Sequence, residues 1–124
     1  MISLPSLSQL DRDAPRIWLA TTPADMRRGF DRLAEMAQSV IGQDPRSGHL
    51  FVFRSRGGDR LKILYWDRDG YALWYKRLEA GTFRLPRAGE AASIELRASE
   101  LAMLLDGVDL RSLRRVKRFA RSSS

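Results

Sequence analysis

Three apolar runs cut by two turn signals lie between His49 and Lys76, and they constrain the fold more than any other feature of the chain. Residues 49–54 are rich in Phe and Val. Gly57-Gly58 then turns the chain into residues 60–66, and Asp67-Arg68-Asp69-Gly70 turns it again toward Lys76. Glycine and aspartate supply the backbone conformations that reverse a chain, so these runs predict consecutive antiparallel strands joined by hairpins. In the second hairpin the hydrophobic pattern selects a three-residue loop with Gly70 in a left-handed conformation, pairing Asp67 with Tyr71. That register places Ile63 and Tyr65 beside Leu73 and Tyr75 on one face. Lys62, Leu64, Trp66, Ala72, Trp74 and Lys76 fall on the other.

Upstream, Arg16-Ile17-Trp18-Leu19-Ala20 is short, apolar and rich in β-branched or aromatic residues, which predicts another strand. Thr22 has the chemistry of a helix cap, Pro23 that of a first helical residue, and Asp25 that of an acidic capping-box partner. Met26, Phe30, Leu33, Ala34, Ala37, Val40 and Ile41 recur at helical spacing, so an amphipathic helix is expected over residues 23–41, ending at Gly42. Within that helix Gly29 is out of place, at a cost of about 0.5–1 kcal/mol relative to alanine. Residues 82–85 and 93–96 read as two further short strands. Residues 99–106 read as a second, shorter helix stopped by Gly107. The expected fold class is α+β: one antiparallel β-sheet packed with an amphipathic helix, a short C-terminal helix and a basic C-terminal tail. The divisions expected are a loosely ordered arm over 1–15, a single α+β domain over 16–110 and the tail over 111–124.

Charge is concentrated in that tail. Arg111, Arg114, Arg115, Lys117, Arg118 and Arg121 lie in a stretch without acidic residues, leaving 16 of the 22 basic side chains to balance all 15 acidic ones. A near-neutral body with a cationic appendage suits a protein that folds without self-repulsion yet is drawn to a polyanion. Arginine outnumbers lysine 19 to 3, and guanidinium forks match phosphate oxygens. The tail is either a phosphate-contacting arm or a solvated tail, and the arginine bias fits both phosphate contact and GC-rich coding.

Two further groups bear on nucleic acid. Arg54, Arg56 and Arg60 surround the Gly57-Gly58 pair, where converging amides and guanidinium groups form an anion site or, alternatively, a plain solvated turn. Lys62 and Lys76, as near cross-strand neighbours, would repel one another unless an anion relieved them. With Trp66 and Trp74 beside them they form a stacking platform, unless the indoles lie under a helix.

Little points to catalysis. With no cysteine there is no thiolate metal site, disulfide or cysteine nucleophile. The one histidine, His49, has no nucleophile beside it in the pattern, and the acids sit at caps, turns and helix faces rather than converging on a metal pair. No catalytic residue, metal or cofactor is expected. The N-terminus lacks a signal-peptide pattern, and no apolar run approaches the roughly 18 residues of a membrane span, so a cytoplasmic protein without a membrane partner is expected.

Several segments occur in a telling order: Thr22-Pro23-Ala24-Asp25-Met26-Arg27-Arg28-Gly29-Phe30-Asp31, Gly48-His49-Leu50-Phe51-Val52-Phe53-Arg54, Gly58-Asp59-Arg60-Leu61-Lys62-Ile63-Leu64-Tyr65-Trp66-Asp67-Arg68-Asp69-Gly70, Lys76-Arg77-Leu78-Glu79 and Leu101-Ala102-Met103-Leu104-Leu105-Asp106-Gly107. In this order they resemble the small TnpB accessory proteins of the insertion-sequence-66 group of bacterial transposons, from about Arg16 to Leu110. These are distinct from the RNA-guided nuclease of the same name. The resemblance implies a non-catalytic role in transposition beside a separate transposase. Joined to the charge pattern, it makes electrostatic binding of DNA, at transposon ends or without sequence preference, the expected function, with DNA and that transposase as partners; the alternative is a protein adaptor that binds the transposase without touching DNA. The segment 6–14 is longer than the compact start of that family. Neither the pattern nor the resemblance sets the oligomeric state.

Overall fold

The computed structural model describes residues 15–112. Residues 1–14 of the expected arm, and Arg114, Arg115, Lys117, Arg118 and Arg121 of the tail, lie outside them. Five strands, β1 (Ile17–Ala20), β2 (Leu50–Arg54), β3 (Arg60–Asp67), β4 (Gly70–Arg77) and β5 (Ser93–Leu96), form one sheet in the order β4-β3-β2-β1-β5. Pairing is antiparallel except between β1 and β2, which run parallel. A parallel pair needs a crossover, and the helix α1 (Phe30–Met36), continued by a π-helical stretch over Ala37–Ile41, supplies it. A second helix, α2 (Ala98–Leu105), follows β5. The protein is an α+β fold with one main helix and one short one.

Strand alternation divides the core in two. Ile17, Leu19, Leu50, Val52, Leu61, Ile63 and Tyr65 project to one face and pack with Leu101 and Leu104 of α2. Ala20, Phe51, Phe53 and Leu64 project to the other and pack with Leu33, Ala34, Met36 and Ala37 of the main helix. Because both faces are covered, the central strand β2 reads Leu-Phe-Val-Phe without polar alternation, and all four side chains are fully buried.

The helix begins seven residues later than the pattern predicts. Residues 23–28 are occupied by other contacts: the Ala24 N–H donates to the Arg54 carbonyl at 2.8 Å, and the Lys62 ammonium donates to the carbonyls of Met26 and Arg28 at 2.7 and 2.9 Å. These tertiary bonds hold the segment out of the helix, with a single turn closed by the Arg28 N–H on the Asp25 carbonyl at 3.0 Å. Asp25 likewise does not serve a capping box; it accepts the Arg27 N–H at 2.9 Å and chelates the Arg27 guanidinium. Gly29 is therefore the N-cap residue of α1 rather than an interior residue, with extended backbone and open space where a Cβ would stand. The expected stop holds: Gly42 closes the helix with φ of 80°.

The second hairpin also differs. Its loop has two residues, Arg68 and Asp69, with Asp67 opposite Gly70, and the left-handed residue is Arg68 at φ 62° rather than Gly70. Trp66 explains the choice. Its indole N–H donates to the Arg68 carbonyl at 3.1 Å, and its ring meets the cross-strand Tyr71 edge-on at 5.0 Å. These contacts offset the cost of a positive φ at a side-chain-bearing residue. A register change of one residue flips β4, so Ile63 pairs with Trp74 and Leu64 with Leu73. Residues 82–85 form no strand; Phe83 donates instead to the Gly58 carbonyl and Leu110 to that of Arg84, each a single backbone bond.

Candidate nucleic-acid interface

The flipped register separates the groups expected to form a platform. Lys62 and Trp66 lie on the α1 side of the sheet, Trp74 and Lys76 on the α2 side. Lys62 is buried, its ammonium held by the two loop carbonyls and lying 4.8 Å from the Tyr75 ring centroid. Burial lowers its pKa, and the more distant Asp25 charge partly opposes the shift. Lys76 points to the end of α2, where its ammonium approaches the Leu105 carbonyl at 3.5 Å, a favourable place for a cation. Trp74 packs against the core, and Trp66, half-buried, carries the Arg46 guanidinium over its ring at 5.2 Å.

The arginines of the first turn divide about it. Arg56 is exposed and shares with Arg60, Asp25, Arg27 and Asp59 a groove of mixed charge. Arg54 faces the opposite side, into a cleft of about 410 Å³ also lined by Gly57, Gly58, Arg84, Gly89 and Arg111. Among the described residues no acidic side chain lines that cleft.

Backbone bonds bring these distant arginines together. The Phe83 N–H donates to the Gly58 carbonyl at 2.8 Å, fixing the Thr82 segment against the turn, and the Leu110 N–H donates to the Arg84 carbonyl at 2.9 Å, which delivers Arg111 to the same rim. The closeness requires glycine. Gly58 has φ of 82°, and a Cβ there would stand 3.3 Å from Thr82 carbons. Arg54 makes no ion pair among the described residues; its guanidinium donates to the Ser55 carbonyl at 3.2 Å. Arg84 and Arg111 share Asp109, at 3.7 and 2.8 Å. Hydrogen bonds from the Arg111 side chain, then from its backbone N–H, hold the Asp109 carboxyl down at about 2, with smaller help from the charges of Arg111 and Arg84 and with desolvation acting the other way.

Sequence reasoning found Arg54 and Arg111 but not Arg84, whose neighbours read as a strand and whose place follows from the two backbone bonds alone. Among the described residues no group of three or more His, Cys, Asp or Glu side chains is placed to hold a metal ion, and no helix is long and apolar enough to cross a membrane. His49 serves structure: its Nδ1 accepts the Arg16 N–H at 2.9 Å.

A family model described as "IS66 Orf2 like protein" matches residues 15–115, which takes in the sheet, both helices and the cleft. Two proteins of Sinorhizobium fredii are similar along most of their length. The uncharacterized protein y4hO is 44% identical over 96 residues, covering 77% of this chain and 83% of its own. The uncharacterized protein y4jC is 39% identical over 100 residues, covering 81% and 85% respectively. No solved structure matches the chain significantly.

Proposed function

The chain belongs to the IS66 Orf2-like family of non-catalytic accessory proteins associated with insertion-sequence transposition, and from that premise we propose that it assists transposition by holding DNA electrostatically. One observation carries the DNA part: the segregation of charge, with six cations and no acid in residues 111–121 and a body of 16 basic against 15 acidic side chains. Such a concentration of guanidinium and ammonium groups matches phosphates, and phosphate contacts carry no base information. Its first cation, Arg111, lines the arginine cleft, so Arg54 and Arg84 extend the cationic surface from the tail onto the body. Exposed Arg56 adds to it across the turn, whereas buried Lys62 acts as an internal anchor and Lys76, though exposed, lies by the end of α2.

A second reading, an adaptor that grips the transposase directly, draws on two exposed aromatics. Phe30 and Tyr75 are 47% and 48% exposed, and both flank the Lys62 anchor, Tyr75 through its ring and Phe30 two residues beyond the carbonyl that Lys62 holds. Co-purification of the tagged protein with the transposase of the same element, with and without nuclease treatment, decides between them. Loss of the transposase after digestion supports the DNA bridge. Its persistence supports the adaptor and counts against the electrostatic account.

A further inference from the structure

We propose that the cleft between Arg54, Arg84 and Arg111 is a phosphate subsite for one phosphate group of a DNA strand, and that the Asp109 carboxylate occupies its arginine forks when no strand is bound. The proposal rests on the DNA reading above and adds to it a fixed site on the folded body and an internal competitor.

Three features converge on this assignment. First, the cations are brought together by the fold rather than by adjacency in the chain: the Phe83 to Gly58 and Leu110 to Arg84 backbone bonds join three segments that each carry one arginine to one cleft. Like charges gathered this way repel, and an anion between them relieves the repulsion. Second, the wall is shaped for close approach, since Gly57, Gly58 and Gly89 present backbone without side chains and, among the described residues, no carboxylate lines the cleft to reject an anion. Third, the Asp109 carboxylate, which pairs with two of the three arginines, already uses the geometry a phosphate would use. The Arg111 Nε and Nη2 donate side by side to the two Asp109 oxygens at 3.0 and 2.8 Å, while Arg84 approaches the second oxygen at 3.7 Å. Arg111 and Asp109 are about half exposed, at 53% and 47%. Ion pairs of that exposure are weak and exchange readily, so a phosphate oxygen pair can take the fork from Asp109, whose carboxylate then turns to solvent.

Phosphate of this kind has two sources in DNA, an internal phosphodiester and a terminal phosphomonoester. The test uses the full chain and its Asp109→Asn, Arg84→Gln and Arg54→Gln variants, each verified by thermal melt. They are titrated into a labelled duplex with 5′-hydroxyl ends and into the same duplex with 5′-phosphate ends, across a salt series. Asp109→Asn, by removing the competitor, is expected to tighten binding about two- to five-fold, in line with a weak surface pair. A damaged fold cannot produce that gain. Arg84→Gln and Arg54→Gln are each expected to weaken binding and to make the salt slope shallower by up to about 0.9, the value of the one phosphate contact they share. Equal effects on both duplexes assign the cleft to the internal backbone; effects confined to the phosphorylated duplex assign it to strand ends. If the parent chain binds in a salt-dependent manner while all three variants match it on both duplexes, the subsite is wrong and the tail alone holds DNA. If the parent chain binds neither duplex, the subsite and the DNA reading fall together.

Discussion

Replacing Lys62 with methionine tests how one buried lysine sets the start of α1. The ammonium donates to the Met26 and Arg28 carbonyls at 2.7 and 2.9 Å, and these bonds hold residues 23–28 out of the helix that their sequence favours. A hydrogen bond to a charged group contributes about 1.5–3 kcal/mol net, and a buried carbonyl left without a donor costs about 1–3 kcal/mol. Water can reach part of the loop, and methionine recovers some packing on a side chain of similar length. The expected loss is therefore nearer the contribution of one bond than two, about 2 kcal/mol. For a domain of this size that lowers the melting midpoint by roughly 8–16 °C. Heat and urea denaturation measure it, and limited trypsin digestion at Arg27 and Arg28 reports whether the loop has been released. Lys76→Met is the control, since its 3.5 Å contact is exposed and should contribute below about 0.5 kcal/mol. If Lys62→Met melts with the parent and its loop resists trypsin equally, the anchor does not determine where the helix begins.

Arg68→Gly should stabilise the protein by about 1 kcal/mol in urea denaturation, because Arg68 sits at φ 62° and glycine relieves that conformation; a loss of stability would mean that the arginine side chain does more than the turn requires. Gly58→Ala should cost about 1–3 kcal/mol, since the new Cβ meets Thr82 at 3.3 Å with φ of 82°, and a neutral result in the same assay would contradict the tight approach. His49 has its pKa lowered from 6.5, chiefly by burial and then by the Arg16 charge. The unfolded chain therefore takes up a proton more readily, and stability is expected to fall as pH drops through about 6.5 toward the lower folded value. A His49→Gln variant should show a shallower decline than the parent between about pH 7 and pH 5; identical profiles would refute the assignment.

Much of the fold was legible because local signals agreed with it. β2, β3, β5 and α2 lie within one or two residues of their expected positions, where apolar runs and glycine stops coincide with the observed ends. The early helix start was misread because Thr22, Pro23 and Asp25 carry real capping chemistry, while the competing donor, Lys62, lies 34 residues beyond the Arg28 carbonyl it binds. The hairpin register was misread because Gly70 is the obvious left-handed residue, whereas Trp66 determines the turn through its own bond to Arg68. That one-residue shift divides the expected platform, leaving Lys62 and Trp66 on one face of the sheet and Lys76 and Trp74 on the other. Arg54 and Arg111 were visible as parts of basic segments. Their meeting with Arg84 was not, since it depends on two long-range backbone bonds that leave no periodic trace.

Under the proposed function the protein meets DNA through phosphates, with the tail as the main contact. Titration of labelled duplex DNA across a salt series, comparing the full chain with one ending after Ser112, tests it most directly. Five of the six tail cations are removed by that truncation while the sheet, both helices and Arg111 remain. With all five engaged, log affinity should lose about 4.5 from the magnitude of its slope against log salt on truncation, near 0.9 per contact, and melting should be unchanged. Equal slopes for the two chains, or no salt-dependent binding by the full chain at low ionic strength, would contradict the claim.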